Sequence, residues 1–177
     1  MEEYEKQVLA NDLCGRLGHD VVVRVCTAYD IANNITEDAT LKGIEFDDPC
    51  FGIKALVNVK TNSGSDTFYV AVEDVKPYLR PLTDMTEDEM VEYGKVKFLL
   101  DDTYCITGCK KTEKGFVKIY TKNKRTGENG YTFQITRTTM LYEGHMGVDW
   151  LNKHHFDYRG LIEKKLAIKA PKNMYNF

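Results

Sequence analysis

Apolar residues recur at three- and four-residue spacing near the start of the chain, at Tyr4, Val8, Leu9, Leu13 and Leu17. That period predicts a helix over 2–17, with Gly18 as its stop. Beyond it the pattern shortens. Val21-Val22-Val23-Arg24-Val25 is a β-branched run, and 41–46 suits a second strand. Segments 51–60 and 67–72 flank Asn62-Ser63-Gly64-Ser65-Asp66, residues that tolerate the dihedrals of a hairpin turn. Val57 and Val59 alternate with Asn58 and Lys60, the period of a strand with one wet face.

Val75 to Asp84 carries Pro77 and Pro81. Each lacks an N–H and restricts its predecessor, which argues against a helix interior or a central strand and marks a boundary. Thr86-Glu87-Asp88-Glu89 has the form of a capping box, and the helix it opens is expected to end at Gly94. Further strands are expected at 96–100, 103–107, 116–122 and 131–136, punctuated by Lys114-Gly115 and Gly127-Glu128-Asn129-Gly130. The tail from 148 to 166 reads as helical in pieces, interrupted near 156–160, and Pro171 ends regular structure. No internal repeat stands out. The expected fold class is α+β, predominantly β: a small SH3-like barrel or twisted antiparallel sheets, with short N-terminal, middle and C-terminal helices. The organisation is expected to be residues 1–80 followed by 81–177, or one continuous domain.

Composition agrees with a folded chain. Of 177 residues, 42% are hydrophobic and 29% charged, an ordinary globular balance. Eleven Tyr and eight Phe favour pleated sheet. A net charge of −3 announces no general polyanion partner, so any such partner must be met by a local patch. No apolar run is long enough to span a bilayer, and the acidic start Met1-Glu2-Glu3-Tyr4-Glu5-Lys6 has no secretory h-region. The five cysteines, at 14, 26, 50, 105 and 109, are therefore expected as reduced thiols in a cytoplasm.

Two stretches resemble a family of small uncharacterised proteins of Bacteroides-type gut bacteria, their phages and mobile elements. One is Val75 to Asp84 followed by Met85-Thr86-Glu87; the other runs from Asp149-Trp150-Leu151-Asn152-Lys153 through His154-His155-Phe156-Asp157-Tyr158-Arg159-Gly160-Leu161-Ile162. Leu166-Ala167-Ile168, Ala170-Pro171, Met174-Tyr175 and the early Asp12-Leu13-Cys14 with Arg16-Leu17 are similar too. The resemblance implies a phage or mobile-element setting. It supplies no catalytic residues, and it does not extend over 95–145.

Three groups of residues carry candidate chemistry. His154, His155 and Asp157 are metal-ligand and acid–base types, yet adjacent histidines do not share a helix face; His154 and Asp157 would do so only if a helix continued through them. The bland reading has this segment pinning the tail, with Trp150, Phe156 and Tyr158 as packing. Cys105 and Cys109, on one strand face, suit a core better than a metal, because a zinc site wants a second pair. The third group is basic. Between Lys110 and Arg125 stand seven basic residues and one acid, Glu113. Phe116, Lys118, Tyr120 and Lys122 fall on one strand face, and Lys114, Lys124 and Arg125 lie close by. A basic face with an interleaved aromatic suits phosphate neutralisation and base stacking; the bland reading is a solvated lysine-rich hairpin guarding its edge.

No Gly-rich phosphate loop or Gly-x-Ser-x-Gly elbow is present, and the only serines, Ser63 and Ser65, sit in a predicted hairpin tip. No catalytic set is assembled, and no metal or cofactor is expected. Three readings follow. The first is a non-enzymatic binding module for nucleic acid, a nucleotide or a host protein, which the resemblance would make a phage or mobile-element accessory factor, an anti-defence factor among the options. The second is a metal-dependent hydrolase or nuclease using His154, His155 and Asp157. The third is a structural or assembly protein, including a homodimer joined through the acidic stretch 84–102 and the basic hairpin. No membrane partner is expected.

Overall fold

The computed structural model describes residues 1–26, 37–48, 52–61, 64–98, 103–111, 117–135 and 145–175. In chain order the elements are α1 (Glu3–Gly15), β1 (Val22–Val25), β2 (Glu37–Asp48), β3 (Gly52–Thr61), β4 (Gly64–Ala71), β5 (Val75–Leu79), α2 (Glu87–Phe98), β6 (Tyr104–Lys111), β7 (Val117–Asn123), β8 (Asn129–Ile135), α3 (His145–Lys153) and β9 (Ile168–Lys169). They form two compact units, Met1–Leu79 with Gly160–Phe177, and Arg80–Arg159. The tail beyond Gly160, which the sequence groups with residues 81 onwards, lies with the first unit.

The first unit is a six-stranded sheet in the order β4-β3-β2-β1-β5-β9, antiparallel except where β9 joins β5. Alternation puts Val23, Ala39, Leu41, Ala55, Val57 and Val59 on one face, where they bury against Leu9, Ala10 and Leu13 of α1. Thr61 pairs with Gly64, so β4 begins inside the expected 62–66 turn; residues 62 and 63 lie outside the described residues. Of the two architectures expected, the SH3-like barrel is not formed. Closing a barrel would require β5 to meet β4, but β9 takes the free edge of β5, and α1 fills the inner face in place of a facing sheet wall.

Pro77 departs from expectation, since β5 is hydrogen-bonded within the sheet. Its neighbour of the same parity, Leu79, directs its carbonyl toward the tail, accepting from the Ala170 N–H at 2.9 Å. Pro77 therefore turns its donor-less nitrogen to the side where the short β9 has not yet begun, and no rung is lost. The β1–β5 register, Val23 opposite Pro77, would next pair Val22 with Tyr78. There the Tyr175 hydroxyl stands in as the rung: it accepts the Val22 N–H at 3.2 Å and donates to the Tyr78 carbonyl at 2.9 Å. Burial pushes the Tyr175 hydroxyl up to about 12, which keeps it protonated and able to donate.

In the second unit α2 packs on one face of the antiparallel sheet β6-β7-β8, and α3 packs against α2. Its core is Met85, Met90, Tyr93, Ile119, Trp150, Leu151, Phe156 and Tyr158. Gly94 does not end α2; the helix runs on to Phe98, through part of the expected 96–100 strand. A Cβ at Gly94 would stand 2.7 Å from Ile119 Cδ1 and 3.0 Å from Ile106 Cδ1, so the glycine lets helix and sheet approach. Gly130, expected in a turn, lies in β8 for a similar reason: a Cβ would meet Thr121 Oγ1 at 2.6 Å and the Tyr104 ring at 2.9 Å. Cys105 and Cys109 do not share a face. A bulge between Ile106 and Gly108 shifts the register, so Cys109 joins Ile106 against the core while Cys105 pairs opposite Lys122. Cys14, Cys26, Cys105 and Cys109 are thiols, and Cys50 lies outside the described residues. No described helix is long and apolar enough to cross a membrane.

Candidate nucleic-acid interface

The central strand β7 divides its side chains between two environments. Ile119 and Thr121 point into the core, both buried. Lys118, Tyr120 and Lys122 therefore stand on the opposite, outer face of the sheet, with Tyr120 38% exposed. The antiparallel register adds a residue that spacing along one strand did not reveal. Lys110 of β6 lies directly opposite Lys118, so both ammonium groups rise from the same face. The signal for it was available in the hairpin register, which a reading of single strands omits.

Beyond β7 the chain turns on Asn123. Its side-chain oxygen accepts the N–H groups of Arg125 at 2.8 Å and Thr126 at 3.1 Å, while its carbonyl accepts that of Gly127 at 3.0 Å. The Lys124 N–H donates to the Thr103 carbonyl at 2.9 Å. Lys124 and Arg125 are thus held, exposed, at the end of the lysine-bearing strand. Lys114 lies outside the described residues.

Like charges directly across a ladder cost sheet stability, and nothing described offsets this pair. Among the described residues no carboxylate forms an ion pair with Lys110, Lys118 or Lys122. The acids of α2 lie on the wrong layer to do so. The helix packs on the inner face, with the Cys109 thiol 3.7 Å from the Glu87 carbonyl and Gly94 against Ile106 and Ile119. The outer face thus presents three clustered cations around one exposed tyrosine.

His154, His155 and Asp157 occupy a different setting. All three are buried. α3 ends at Lys153, so the helical spacing that would bring His154 and Asp157 onto one face does not arise. His155 terminates the helix instead. It takes a left-handed φ of 57° and donates its N–H to the Asn152 carbonyl, while the Phe156 N–H reaches the Leu151 carbonyl at 2.9 Å. This is the paired closure that usually employs glycine. His154 stacks on Trp150 with ring centroids 3.9 Å apart. Asp157 donates its backbone N–H to the Arg80 carbonyl, and the Arg80 N–H donates to the His155 carbonyl, both at 2.8 Å. The Arg80 guanidinium lies 4.3 Å from the Phe156 ring centre and forms a fork with Glu89, at 2.7 and 3.0 Å. Among the described residues no three His, Cys, Asp or Glu side chains gather closely enough to hold a metal ion.

Burial holds the His154 imidazole below its ordinary value of 6.5; the Glu92 and Glu89 carboxylates oppose this, and Lys153 and Arg80 reinforce it. A depressed histidine stabilises the fold above its unfolded value, and that stability is lost as pH falls below about 6.5, where the unfolded chain binds the proton first. The urea midpoint of the second unit is expected to fall between pH 7 and pH 5, and a His154→Gln variant to show a shallower fall. Equal slopes in the two proteins would contradict this. Comparison with known proteins brings no relative to this chain: no family model, no curated protein and no solved structure matches it.

Proposed function

We propose that this chain is a non-enzymatic binding module that takes nucleic acid on the outer face of β6, β7 and β8. One observation carries the reading: Lys110, Lys118 and Lys122 share that face, with no described carboxylate paired to them. A row of ammonium groups on an open sheet gains most from a ligand that brings several phosphates, because each neutralised phosphate releases condensed counterions. A mononucleotide would engage such a spread face with only one end. The setting we attach to the module, a cytoplasmic accessory factor of a phage or mobile element, rests on the sequence resemblance alone.

The test is binding of labelled oligonucleotides across a salt series. The wild-type chain is expected to bind with an affinity that falls steeply as salt rises. Changing Lys118, Lys122 and Lys124 together to Glu is expected to weaken binding at least about tenfold and to flatten the log–log salt slope by about two to three. Binding that ignores salt, or a triple variant indistinguishable from wild type, would overturn the proposal.

A further inference from the structure

Gly108 stands at the bulge that follows Ile106, a place that admits glycine without requiring a left-handed backbone there. Gly108 lies in β6 directly opposite Tyr120, has no left-handed φ, and a Cβ built there would meet no atom within 4 Å. Glycine in a strand interior costs backbone entropy and contributes no packing, and it is found at bulges and where another group approaches the backbone closely. Gly94 and Gly130 answer to crowding by neighbouring side chains; Gly108 faces open space. The absent side chain leaves the space over Gly108 open, as a slot on the strand opposite Tyr120, whose ring engages no other ring and no cation among the described residues.

We infer that the ligand of this face is single-stranded nucleic acid, with a base entering the slot over Gly108 and stacking on Tyr120. The inference rests on reading the face as a phosphate-binding surface and narrows it to one class of nucleic acid. Two residues of extended chain span about 6.6 Å, so Lys118 and Lys122 flank the ring at one such step on either side. An ammonium on each side of an aromatic platform follows the alternation of phosphate and base along an extended strand. A duplex keeps its bases stacked inside and touches a flat sheet only with its backbone, so it would reach the lysines and leave the ring unused. Stacking is tolerant of sequence, since every base has a π face, and a preference for particular bases is not expected from this geometry.

The test compares a single-stranded oligothymidylate, a single-stranded oligouridylate and a mixed-sequence duplex of equal length, each fluorescently labelled. Single strands are expected to bind more tightly than the duplex. Tyr120→Ala is expected to weaken single-strand binding by roughly ten- to hundredfold while leaving the salt slope and duplex binding unchanged, and Tyr120→Phe to retain it. Gly108→Val fills the slot with a strand-favouring residue. It is expected to keep or raise the melting temperature while reducing single-strand affinity to a similar degree. Equal affinity for single strand and duplex, or Tyr120→Ala and Gly108→Val variants that bind single strands as wild type does, would overturn the inference. If the Lys118, Lys122 and Lys124 reversal still abolishes salt-dependent binding in that case, the phosphate-binding reading survives without it. If no oligonucleotide binds at all, both fall.

Discussion

Asp12→Ala is expected to cost the first unit about 3–5 kcal/mol, a large share of what holds an ordinary domain together. Asp12 and Arg16 are one turn apart on α1, and both side chains are fully buried. Arg16 Nε donates to Asp12 Oδ2 at 2.6 Å and its Nη2 to Oδ1 at 3.2 Å. The pair sits on the same helix that supplies Leu9 and Leu13 to the core, so neither group can reach water without moving that helix. Removing the carboxylate leaves a fully buried guanidinium without the acceptor of its Nε and Nη2, and the desolvation of that charge is the main penalty. The measurement is urea unfolding, read as a midpoint shift at constant slope. The double variant Asp12→Leu, Arg16→Met is expected to recover most of the loss, because a buried pair exchanged for apolar volume is often neutral. A single-variant loss below about 1 kcal/mol would show that the pair is solvated in solution.

Glu89→Ala is expected to destabilise the second unit by about 3 kcal/mol. Three interactions meet on this residue. Its carboxylate accepts the Arg80 fork and the Thr86 N–H at 2.8 Å, and its own N–H donates to Thr86 Oγ1 at 3.2 Å, the reciprocal box anticipated from Thr86 and Glu89. Burial alone would raise the carboxyl, but the Arg80 side chain and the Thr86 backbone hold it below its ordinary 4.5. Its contribution is accordingly complete above pH 4.5 and lost as pH falls through the depressed folded value. Glu89→Gln keeps the oxygen acceptor and gives up the charge, so an intermediate loss is expected, with the acid-dependent part removed. An alanine variant as stable as wild type would mean that Arg80 finds its anchor elsewhere.

The sequence patterns carried the local structure further than the pairing. α1, the strand around Val23, the Val57–Val59 alternation and the start of α2 at Glu87 followed from period and capping, because those signals are contained within a few residues. What escaped were features set by partners distant in the chain. Gly94 reads as a stop until Ile106 and Ile119 are seen pressing on the helix, and Pro77 reads as a breaker until β9 proves too short to need its nitrogen. Cys105 and Cys109 part company through a bulge that no spacing announces. At the interface the outward alternation of Lys118, Tyr120 and Lys122 was legible from β7 alone, whereas Lys110 and Gly108 required the neighbouring strand. The histidines read as a possible chemical pair, yet the termination of α3 at Lys153 turns them into a helix stop and a ring stacked on Trp150.

The Tyr175 hydroxyl that bridges Val22 and Tyr78 has a consequence for biosynthesis. A ribosome delivers β1 and β5 early, then the whole of Arg80–Arg159, and only afterwards the phenol that joins them. The second unit, contiguous in the chain, has every partner in hand first. The nascent first unit must wait with one rung open, so a stalled or prematurely released polypeptide would carry a finished later half beside an unfinished earlier one.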